Sequence, residues 1–336
     1  MSLVSWLKLF NGLGNFDINK INANKWVDNT VTKLHHMEVM CRPKISVNPR
    51  KLIIDTDPGV DDALALILAY ACPEVEVELI TTVAGNVPLK TANRNVRRLL
   101  GFVGPKRPPQ VAYGADRPLA GTLTIATDIH GEDGLGGVAD SYYQDQSLFP
   151  TARIKASSDA PQAIIDCINN NNGQITLVAL GPLTNVARAI QRAPKTLHKL
   201  ERLIIMGGAI HVSGNVTPSA EFNMFVDPEA ARIVLAADIK TTLIPLDVTQ
   251  KVKLSNQMVS RCPNSRTKVA VERLIRSINR RCCGISMHDP LALATAIDSS
   301  LVSTKEMYVG VESSGKHTRG TTLGKTSAWT GAQTRI

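Results

Sequence analysis

The sequence is poor in aromatic residues and has no long apolar run. Phe, Trp and Tyr make up 4% of the 336 residues, and no apolar stretch approaches the roughly 18 residues that a transmembrane helix needs. The opening MSLVSWLKLF carries one lysine inside a short apolar patch and no small-residue cleavage site, so we expect no secretory signal peptide. These absences predict a cytoplasmic protein that does not enter a membrane.

Paired cysteines and clustered basic charge are also scarce. The six cysteines form no CxxC pair and no dense framework, which argues against a zinc ribbon or a disulfide scaffold and predicts free thiols. The formal net charge is +9, but Lys and Arg are dispersed along the chain. Nucleic-acid-binding domains concentrate these residues on one face, and we therefore expect no nucleic-acid partner.

Apolar runs and Ala/Leu-rich runs alternate along the chain. KLIIDTD predicts a strand and DDALALILAYA a helix, VEVELITTVAGN predicts a strand ending at Asn86, and IKTTLIPLDVTQ predicts a later strand. In DPEAARIVLAAD, Asp227 precedes Pro228 in the order typical of a helix start. This alternation predicts an α/β fold with a mostly parallel central sheet and helices on both faces. Ligands of such sheets bind at the carboxyl ends of the strands.

Polar side chains collect where the predicted strands end. Four aspartates stand within eight positions after the first strand, and in SMHDPLALATAI a His-Asp pair precedes a helix that starts with proline. The candidates at this edge are Asp55, Asp57, Asp61, Asp62, Asn86, Asp128, His130, Asn215, Glu221, Asn223, His288 and Asp289.

The aspartates after the first strand predict a cation site. Carboxylates this close together repel one another, and burying one unpaired costs on the order of several kcal/mol. Ca²⁺ or Mg²⁺ suits a site with oxygen ligands and no thiolate. The spacing is not that of an EF-hand, because counting from Asp55 places Val60 at the required glycine and Leu66 at the bidentate glutamate. One carboxylate of such a site is free to deprotonate a water molecule.

A second interpretation of the first strand is weaker. An apolar strand followed by D-x-D also begins phosphatases of the haloacid dehalogenase type, in which the first aspartate is the nucleophile and the second the acid/base. Here Pro58 follows the pair where a small hydroxyl or aliphatic residue is expected. That interpretation also leaves Asp61 and Asp62 without a role.

The motif DTDPGVDDALAL resembles the amino-terminal signature of the inosine-uridine-preferring nucleoside hydrolase family. Further matches follow in the family's order, namely TTVAGNV, HGEDGLGG, LVALGPLTNVA, IIMGGA, AEFNMFVDPEAA and MHDPLALA. The resemblance covers about residues 51–320. It implies a Rossmann-like fold and cleavage of the N-glycosidic bond of ribonucleosides to ribose and free base, for nucleoside salvage or catabolism.

The resemblance also implies a role for each matching residue. Asp61 is expected to be the general base toward water and His288 the acid that protonates the departing base, and Asp55 orients the loop without binding metal. The expected Ca²⁺ ligands are Asp57, Asp62, Asp289 and the backbone carbonyl of Leu180. The expected substrate-binding residues are Asn86, Asn215, Glu221 and Asn223 on the ribose hydroxyls, Met206 and Phe222 along the sugar pocket, and His130 near the base.

The chemistry of this bond fits that residue set. Breaking a C1′–N bond develops positive charge on the ribose and negative charge on the base, so the site needs acceptors around the sugar and a proton donor beyond it. Direct attack by water, with base and acid on opposite sides of the sugar, parallels the inverting glycosidases. We therefore expect inversion at C1′.

The residues beside the base predict loose selectivity. Purine-specific relatives stack the base between tryptophans, but Trp6, Trp26 and Trp329 all lie near the chain ends. The pair His130 and His288 instead resembles the pyrimidine-preferring or nonspecific branch. We expect uridine, inosine and cytidine as substrates, and the family implies a homodimer or homotetramer.

Two expectations concern the ends of the chain. Residues 1–48 are polar and Asn-rich without clear periodicity, and we expect them to be a poorly structured extension before one domain at residues 49–336. The final LGKTSAWTGAQTRI departs from the family pattern, so we expect a truncated carboxyl-terminal end. An alternative function follows, that of a non-catalytic calcium- and ribose-binding relative with a damaged carboxyl terminus.

Overall fold

The apolar runs of the sequence form the strands of a parallel sheet. The computed structural model describes residues 49–278, 284–329, 334 and 336, so the expected extension at 1–48 lies outside the described residues. The strands are β1 (Arg50–Thr56), β2 (Val75–Thr82), β3 (Gln110–Tyr113), β4 (Tyr142–Tyr143), β5 (Gln146–Ser147), β6 (Ala156–Ser157), β7 (Thr176–Ala179), β8 (Arg202–Met206), β9 (Thr241–Ile244), β10 (Lys253–Leu254), β11 (Ile285–Ser286), β12 (Tyr308–Val311) and β13 (Thr322–Lys325).

The strand order places a crevice at the centre of the sheet. Seven strands pair in the order β6-β3-β2-β1-β7-β8-β9, and every pair in this sheet is parallel. The chain first builds outward from β1 to β6 and then returns to build outward from β7 to β9. The order therefore reverses between β1 and β7, and ligands of open α/β sheets bind outside the carboxyl ends of the strands at such a point.

Helices connect the strands and cover the sheet. They are α1 (Val60–Ala71), α2 (Leu89–Val103), α3 (Thr127–His130), α4 (Ala160–Asn170), α5 (Thr184–Arg192), α6 (Pro194–Leu197), α7 (Phe222–Val226), α8 (Pro228–Ala236), α9 (Leu246–Thr249), α10 (Asn256–Ser260), α11 (Arg266–Ile278) and α12 (His288–Ile297), followed by a 3-10 turn at Ser299–Leu301. No helix in the described ranges has both the length and the apolarity that crossing a bilayer requires.

Alternating side chains of β1 divide the core into two layers. Leu52 and Ile54 pack with α1, α2, α11 and α12, whereas Ile53 packs on the opposite face with α4, α5 and α8. All three side chains are fully buried. The predicted α/β fold with helices on both faces of a parallel sheet is confirmed, and it explains why this strand has a continuous apolar run.

Several element boundaries correct the sequence predictions. Strand β2 ends at Thr82 and not at Asn86, because its partner β1 ends at Thr56, which pairs with Thr82. Strand β9 ends at Ile244, since Pro245 cannot donate to a ladder, and the rest of the predicted strand forms α9. The helix start at Pro228 is confirmed, with the Asp227 carboxylate accepting from the Ala230 N–H at 3.0 Å.

Two other corrections concern segments near the carboxyl edge of the sheet. Helix α12 begins at His288, so His288 and Asp289 belong to its first turn rather than preceding it. The predicted loop before Asp227 contains helix α7, whose amino-terminal cap is the Glu221 carboxylate.

Short antiparallel ladders complete the described residues. Strand β10 pairs with β11, β12 with β13, and β4 with β5. The β10-β11 ladder lies directly before α12 in the chain and ties it to the segment that follows β9. At the end of the chain, Ile336 and Met307 exchange two backbone hydrogen bonds of 2.8 and 2.9 Å.

Candidate active site

A cleft opens at the carboxyl edge of the sheet, where β1 lies beside β7 and the strand order reverses. Its volume is about 670 Å³, within the range of small-molecule sites. Most of the predicted site residues line it, namely Asp61, Asn86, His130, Leu180, Met206, Asn215, Glu221, Phe222, Asn223, His288 and Asp289. Asp57 and Asp62 are fully buried beneath this lining.

Three carboxylates meet at the floor of the cleft. Oxygen atoms of Asp61, Asp62 and Asp289 all lie within 4.8 Å of one another. Asp61 and Asp62 belong to the first turn of α1, and Asp289 belongs to the first turn of α12. The two helices pack side by side on the same face of the sheet, which brings residues more than 200 positions apart into one cluster.

Two carboxylate oxygens at this floor are buried and, among the described residues, have no hydrogen-bond partner. They are Oδ1 of Asp57 and Oδ1 of Asp61. The other oxygen of Asp57 accepts from the Asn86 N–H at 2.6 Å. Buried polar atoms are rarely left without a partner, and bare carboxylate oxygens beside further carboxylates are the donor set that a hard divalent cation prefers. The residues present therefore fit such a metal ion.

Burial makes this cluster costly in the absence of a cation. Desolvation is the main cause of a raised pKa for Asp57, with repulsion from Asp62 adding to it. Desolvation also raises the pKa of Asp62 and of Asp289, and the charge of Asp61 acts in the same direction on both. A bound cation removes this penalty because it favours the ionised form of every carboxylate near it.

Glycines allow the backbone to approach Asp57. A Cβ atom on Gly181 would lie 2.6 Å from Asp57 Oδ1, and one on Gly85 would lie 2.1 Å from Oδ2. Both distances are shorter than any ordinary contact, so a side chain at either position would displace the carboxylate. The glycine after Leu180 therefore keeps the floor of the cleft open around Asp57.

Asp55 lies one layer below the cleft and has partners of its own. Its Oδ1 accepts from the Thr81 hydroxyl and from Asn185 Nδ2, the latter at 2.8 Å. Burial raises the pKa of Asp55 to about 7. Asn185 also donates to the Thr82 carbonyl at 2.9 Å, so the Asp55 network joins β1, β2 and α5 behind the carboxylate floor.

Amide and carboxylate groups of Asn86, Asn215, Glu221 and Asn223 form part of the lining, here called the acceptor wall. The Glu221 carboxylate accepts from the N–H groups of Gly208, Asn223 and Met224 at 3.0 to 3.2 Å, and burial raises its pKa. Asn223 Nδ2 donates to the Leu180 carbonyl at 2.7 Å. These bonds fix the orientation of the acceptors that face the cleft.

Two further bonds place the remaining amides of the cleft. Asn215 Oδ1 accepts from the Phe222 N–H at 2.9 Å, which joins its loop to the start of α7. Asn86 Nδ2 donates to Asp62 at 3.0 Å and so links this wall to the carboxylate floor.

Two histidines stand beside the carboxylates, each with Nδ1 engaged. The Val60 N–H, in the first turn of α1, donates to His130 Nδ1 at 3.1 Å. His288 Nδ1 lies 2.8 Å from the hydroxyl oxygen of Thr249. Burial lowers the pKa of His288, and the nearby charge of Asp61 acts in the opposite direction. Since both Nδ1 atoms are engaged, Nε2 of each ring is the nitrogen available to a ligand.

Aliphatic side chains surround the mouth of the cleft. Ile125 is 40% exposed, Ile129 54% and Val216 40%, and Ile278 and Ile285 also line it. Exposed branched side chains around a polar floor indicate a surface for an apolar, flat part of a ligand. The sequence analysis did not identify these residues.

Sequence reasoning also missed the residues that support the site from behind. Thr81, Asn185 and Thr249 hydrogen-bond to Asp55 or His288 but lie 26 or more positions away from these partners. Asn185 stands in the quoted motif LVALGPLTNVA, which offered a signal for it. Thr249 gave none, because its segment was predicted to be a strand.

Comparison with other proteins gives the family. The sequence model of the inosine-uridine preferring nucleoside hydrolases matches residues 52–335. The non-specific ribonucleoside hydrolase RihC of Salmonella agona is 40% identical over 276 residues, which are 81% of this chain and 86% of that protein.

Solved structures agree with this match. A plant nucleoside hydrolase, the PpNRh1 enzyme, superposes with a TM-score of 0.74 at 34% identity, covering 84% of this chain and 89% of that one. The purine-preferring ribonucleoside hydrolase of Gardnerella vaginalis gives a TM-score of 0.74 at 31% identity, covering 82% and 88%. The chain therefore belongs to the inosine-uridine preferring nucleoside hydrolase family and is an N-glycosyl hydrolase of ribonucleosides.

Proposed function

We propose that this enzyme hydrolyses uridine, inosine and cytidine in a Ca²⁺-dependent reaction that releases ribose and the free base. The observation that carries the proposal is one cleft with a carboxylate floor, a wall of amide and carboxylate acceptors, and two histidines below an aliphatic mouth. The similarity to a relative named as non-specific supports a broad substrate range. The aliphatic mouth agrees with it, since no tryptophan lines the cleft among the described residues.

Asp57, Asp62, Asp289 and the Leu180 carbonyl would hold the calcium ion. All four offer oxygen, as Ca²⁺ requires. When bound, the ion neutralises the carboxylates and raises the acidity of water beside it. The three carboxylates that lie within 4.8 Å of one another include Asp61 and not Asp57. However, Asp57 is fully buried between two glycines and has one oxygen without a hydrogen-bond partner among the described residues. The Asp61 side chain is 17% exposed. We therefore keep Asp57 as a ligand and Asp61 as the group that moves a proton.

Asp61 accepts the proton of the attacking water. The water oxygen forms a bond to C1′ of the ribose while the C1′–N bond breaks and its electron pair passes to the base. His288 lies on the first turn of α12, beside Asp289, and supplies a proton to the departing base through Nε2. Direct attack inverts C1′, as in glycosidases that hold base and acid on opposite sides of the sugar.

The acceptor wall binds the ribose. Asn86, Asn215, Glu221 and Asn223 face the cleft with orientations fixed by their own hydrogen bonds, so they can accept from or donate to sugar hydroxyls without reorganising. Acceptors held in place before the reaction stabilise developing positive charge at low cost. Met206 and Phe222 complete the sugar pocket, and His130 donates from Nε2 toward the base.

Assembly and domain organisation are part of the same proposal. We expect residues 49–336 to act as one domain and the enzyme to form a homodimer or homotetramer. The competing function is a non-catalytic protein that keeps calcium and ribose binding. The alternatives differ only in whether Asp61 and His288 perform chemistry.

The deciding experiment measures free base released from uridine, inosine and cytidine, in Ca²⁺ and after chelation, for the wild type and Asp61→Asn. We expect chelator-sensitive release that Ca²⁺ restores and that falls about 10²- to 10⁴-fold in the variant, the range of general-base catalysis. Asp166→Asn makes the same chemical change on the exposed face of α4 and should retain wild-type rates. Bound calcium without any turnover would instead favour the non-catalytic alternative.

A further inference from the structure

The hydroxyl of Thr249 contacts the histidine proposed to protonate the base. Thr249 Oγ1 lies 2.8 Å from His288 Nδ1, and the Thr249 side chain is fully buried. Thr249 is the last residue of α9, which follows β9 at the carboxyl edge of the sheet. It does not line the cleft, so it acts on a ligand only through His288.

Backbone bonds hold the two residues in register. The Val252 N–H donates to the Thr249 carbonyl at 3.2 Å, and the Met287 N–H donates to the Val252 carbonyl at 2.9 Å. Directly beyond these residues, β10 pairs with β11. The segment after α9 is therefore hydrogen-bonded to the start of α12 at successive positions. These backbone bonds hold the Thr249 hydroxyl in place beside His288.

The hydroxyl engages one nitrogen of the ring and so leaves the other to the cleft. His130 has the same arrangement, but there the Val60 N–H engages Nδ1, and only proline would remove that backbone donor. At His288 a side chain performs this task. A hydrogen bond to one ring nitrogen sets the orientation of an imidazole.

We propose that Thr249 is a positioning residue for protonation of the departing base. It holds the His288 ring so that Nε2 faces the base nitrogen, and this inference rests on the proposed function. In the step concerned, the C1′–N bond breaks and its electron pair passes to the base, while the protonated His288 ring transfers its Nε2 proton to the base and is left neutral. A misplaced donor slows this step without weakening the binding of the ribose.

A pair of substrates isolates this step. Uridine needs a proton on its base, whereas 4-nitrophenyl β-D-ribofuranoside releases nitrophenolate, which leaves without one. For Thr249→Val, which removes the hydroxyl at nearly constant volume, we expect kcat on uridine to fall about 10- to 100-fold. We expect KM for uridine and kcat on the nitrophenyl riboside to stay within about threefold of the wild type.

Matched variants separate positioning from a packing role. Thr249→Ser keeps the hydroxyl and should restore most of the uridine rate, while Thr249→Ala is a second hydroxyl-free form in case the valine does not fold. In a His288→Ala background, the Thr249→Val change should cost nothing further on uridine, because residues that act as one unit are not additive.

The following outcomes would contradict the inference. Equal losses on uridine and the nitrophenyl riboside would show a structural effect on the whole site. An unchanged uridine rate in Thr249→Val, or additive losses with His288→Ala, would show that the hydroxyl does not act through the ring. A wild type that hydrolyses neither substrate would refute the proposed function, and the inference with it, whereas equal losses refute only the inference.

Discussion

At the residue scale, the aspartates of the first motif have identical side chains but different surroundings. Asp55 accepts from the side chains of Thr81 and Asn185, whereas Asp57 accepts from the backbone N–H of Asn86. Each has one buried oxygen without a hydrogen-bond partner among the described residues. Asp61 reaches the cleft. Since the protein environment decides whether a carboxylate supports a site, binds metal or moves a proton, the motif DTDPGVDD places three different carboxylate environments within eight residues.

The mouth of the cleft allows a test of base selectivity. Ile129 lies on the short helix α3 and is 54% exposed at the cleft, so Ile129→Trp has room to place an indole against the base. A stacked aromatic contributes about 1–3 kcal/mol per base and favours the larger purine surface. We expect the ratio of kcat/KM for inosine to that for uridine to rise by about fivefold or more.

Val212→Trp is the matched control for this change. Val212 is also exposed, at 37%, but does not line the cleft. Its substitution should leave the inosine-to-uridine ratio unchanged. A ratio that stays constant in Ile129→Trp as well would mean that the base does not contact α3.

At the element scale, the turns after β1, β2 and β7 pack against one another below the cleft. Gly85 and Gly181 approach Asp57 from the second and third of these turns. The close approach is possible because neither residue carries a side chain. The candidate metal site therefore depends on three strand ends as much as on its carboxylates.

Gly181→Ala tests this dependence. Its Cβ atom would lie 2.6 Å from Asp57 Oδ1 and 2.9 Å from Val83 Cγ1, so either the carboxylate or the turn must move. We expect the calcium affinity, measured by isothermal titration calorimetry, to fall by about tenfold or more, because one ligand is displaced. Base release should need correspondingly more calcium.

Gly104→Ala separates loss of metal binding from loss of stability. Gly104 ends α2 with φ of 55° and nothing within 4 Å of an added Cβ, so alanine there costs about 1 kcal/mol of backbone strain. It should lower the unfolding midpoint without changing the calcium affinity. If Gly181→Ala bound calcium as tightly as Gly104→Ala, the packing argument would be wrong.

The edge of the sheet that carries the polar side chains could be predicted from the sequence more readily than the bounds of the strands or the short helices between them. Asn86 could be assigned to this edge because parallel strands end on the same side of a sheet, although β2 itself ends at Thr82. Helix α9 could not be predicted, since LIPLDVTQ continues the apolar run of β9 and only Pro245 marks the break. The contact of Thr249 with His288 spans 39 positions and depends on the β10-β11 ladder, which no local pattern encodes.

At the scale of the whole molecule, the site lies where the sheet reverses its direction of growth. Alternating strands and helices predicted a parallel sheet, but the order with β1 beside β7 is a property of the complete chain. That order brings the turn after β1 against the turn after β7, and helices α1 and α12 then bring their first turns together. The cluster of buried carboxylates is thus assembled by long-range packing. The free energy of folding has to offset the cost of burying these groups.

The same burial makes stability depend on calcium and pH together. Without the ion, the raised pKa values of Asp55, Asp57, Asp62 and Asp289 mean that the folded chain holds protons which the unfolded chain releases above its ordinary pKa of about 3.8. Where the folded state binds more protons, the free energy of unfolding falls as pH rises, by about 1.4 kcal/mol per proton and pH unit. For Asp55 this window runs from about pH 4 to about 7.

Calcium should reverse that trend by favouring the ionised carboxylates. We expect its stabilising effect, about 2.7 kcal/mol at 100 times the dissociation constant, to be smaller at pH 5 than at pH 8, in urea unfolding with Ca²⁺ or with chelator. Glu221 and Asp227 also have pKa values raised by burial, but the difference between the two conditions cancels their contribution. In the Asp289→Asn variant, calcium should raise the free energy of unfolding only slightly at any pH, because this variant lacks one proposed calcium ligand. A calcium effect of the same size from pH 5 to 8 in the wild type would contradict the assignment of the buried carboxylates as its ligands.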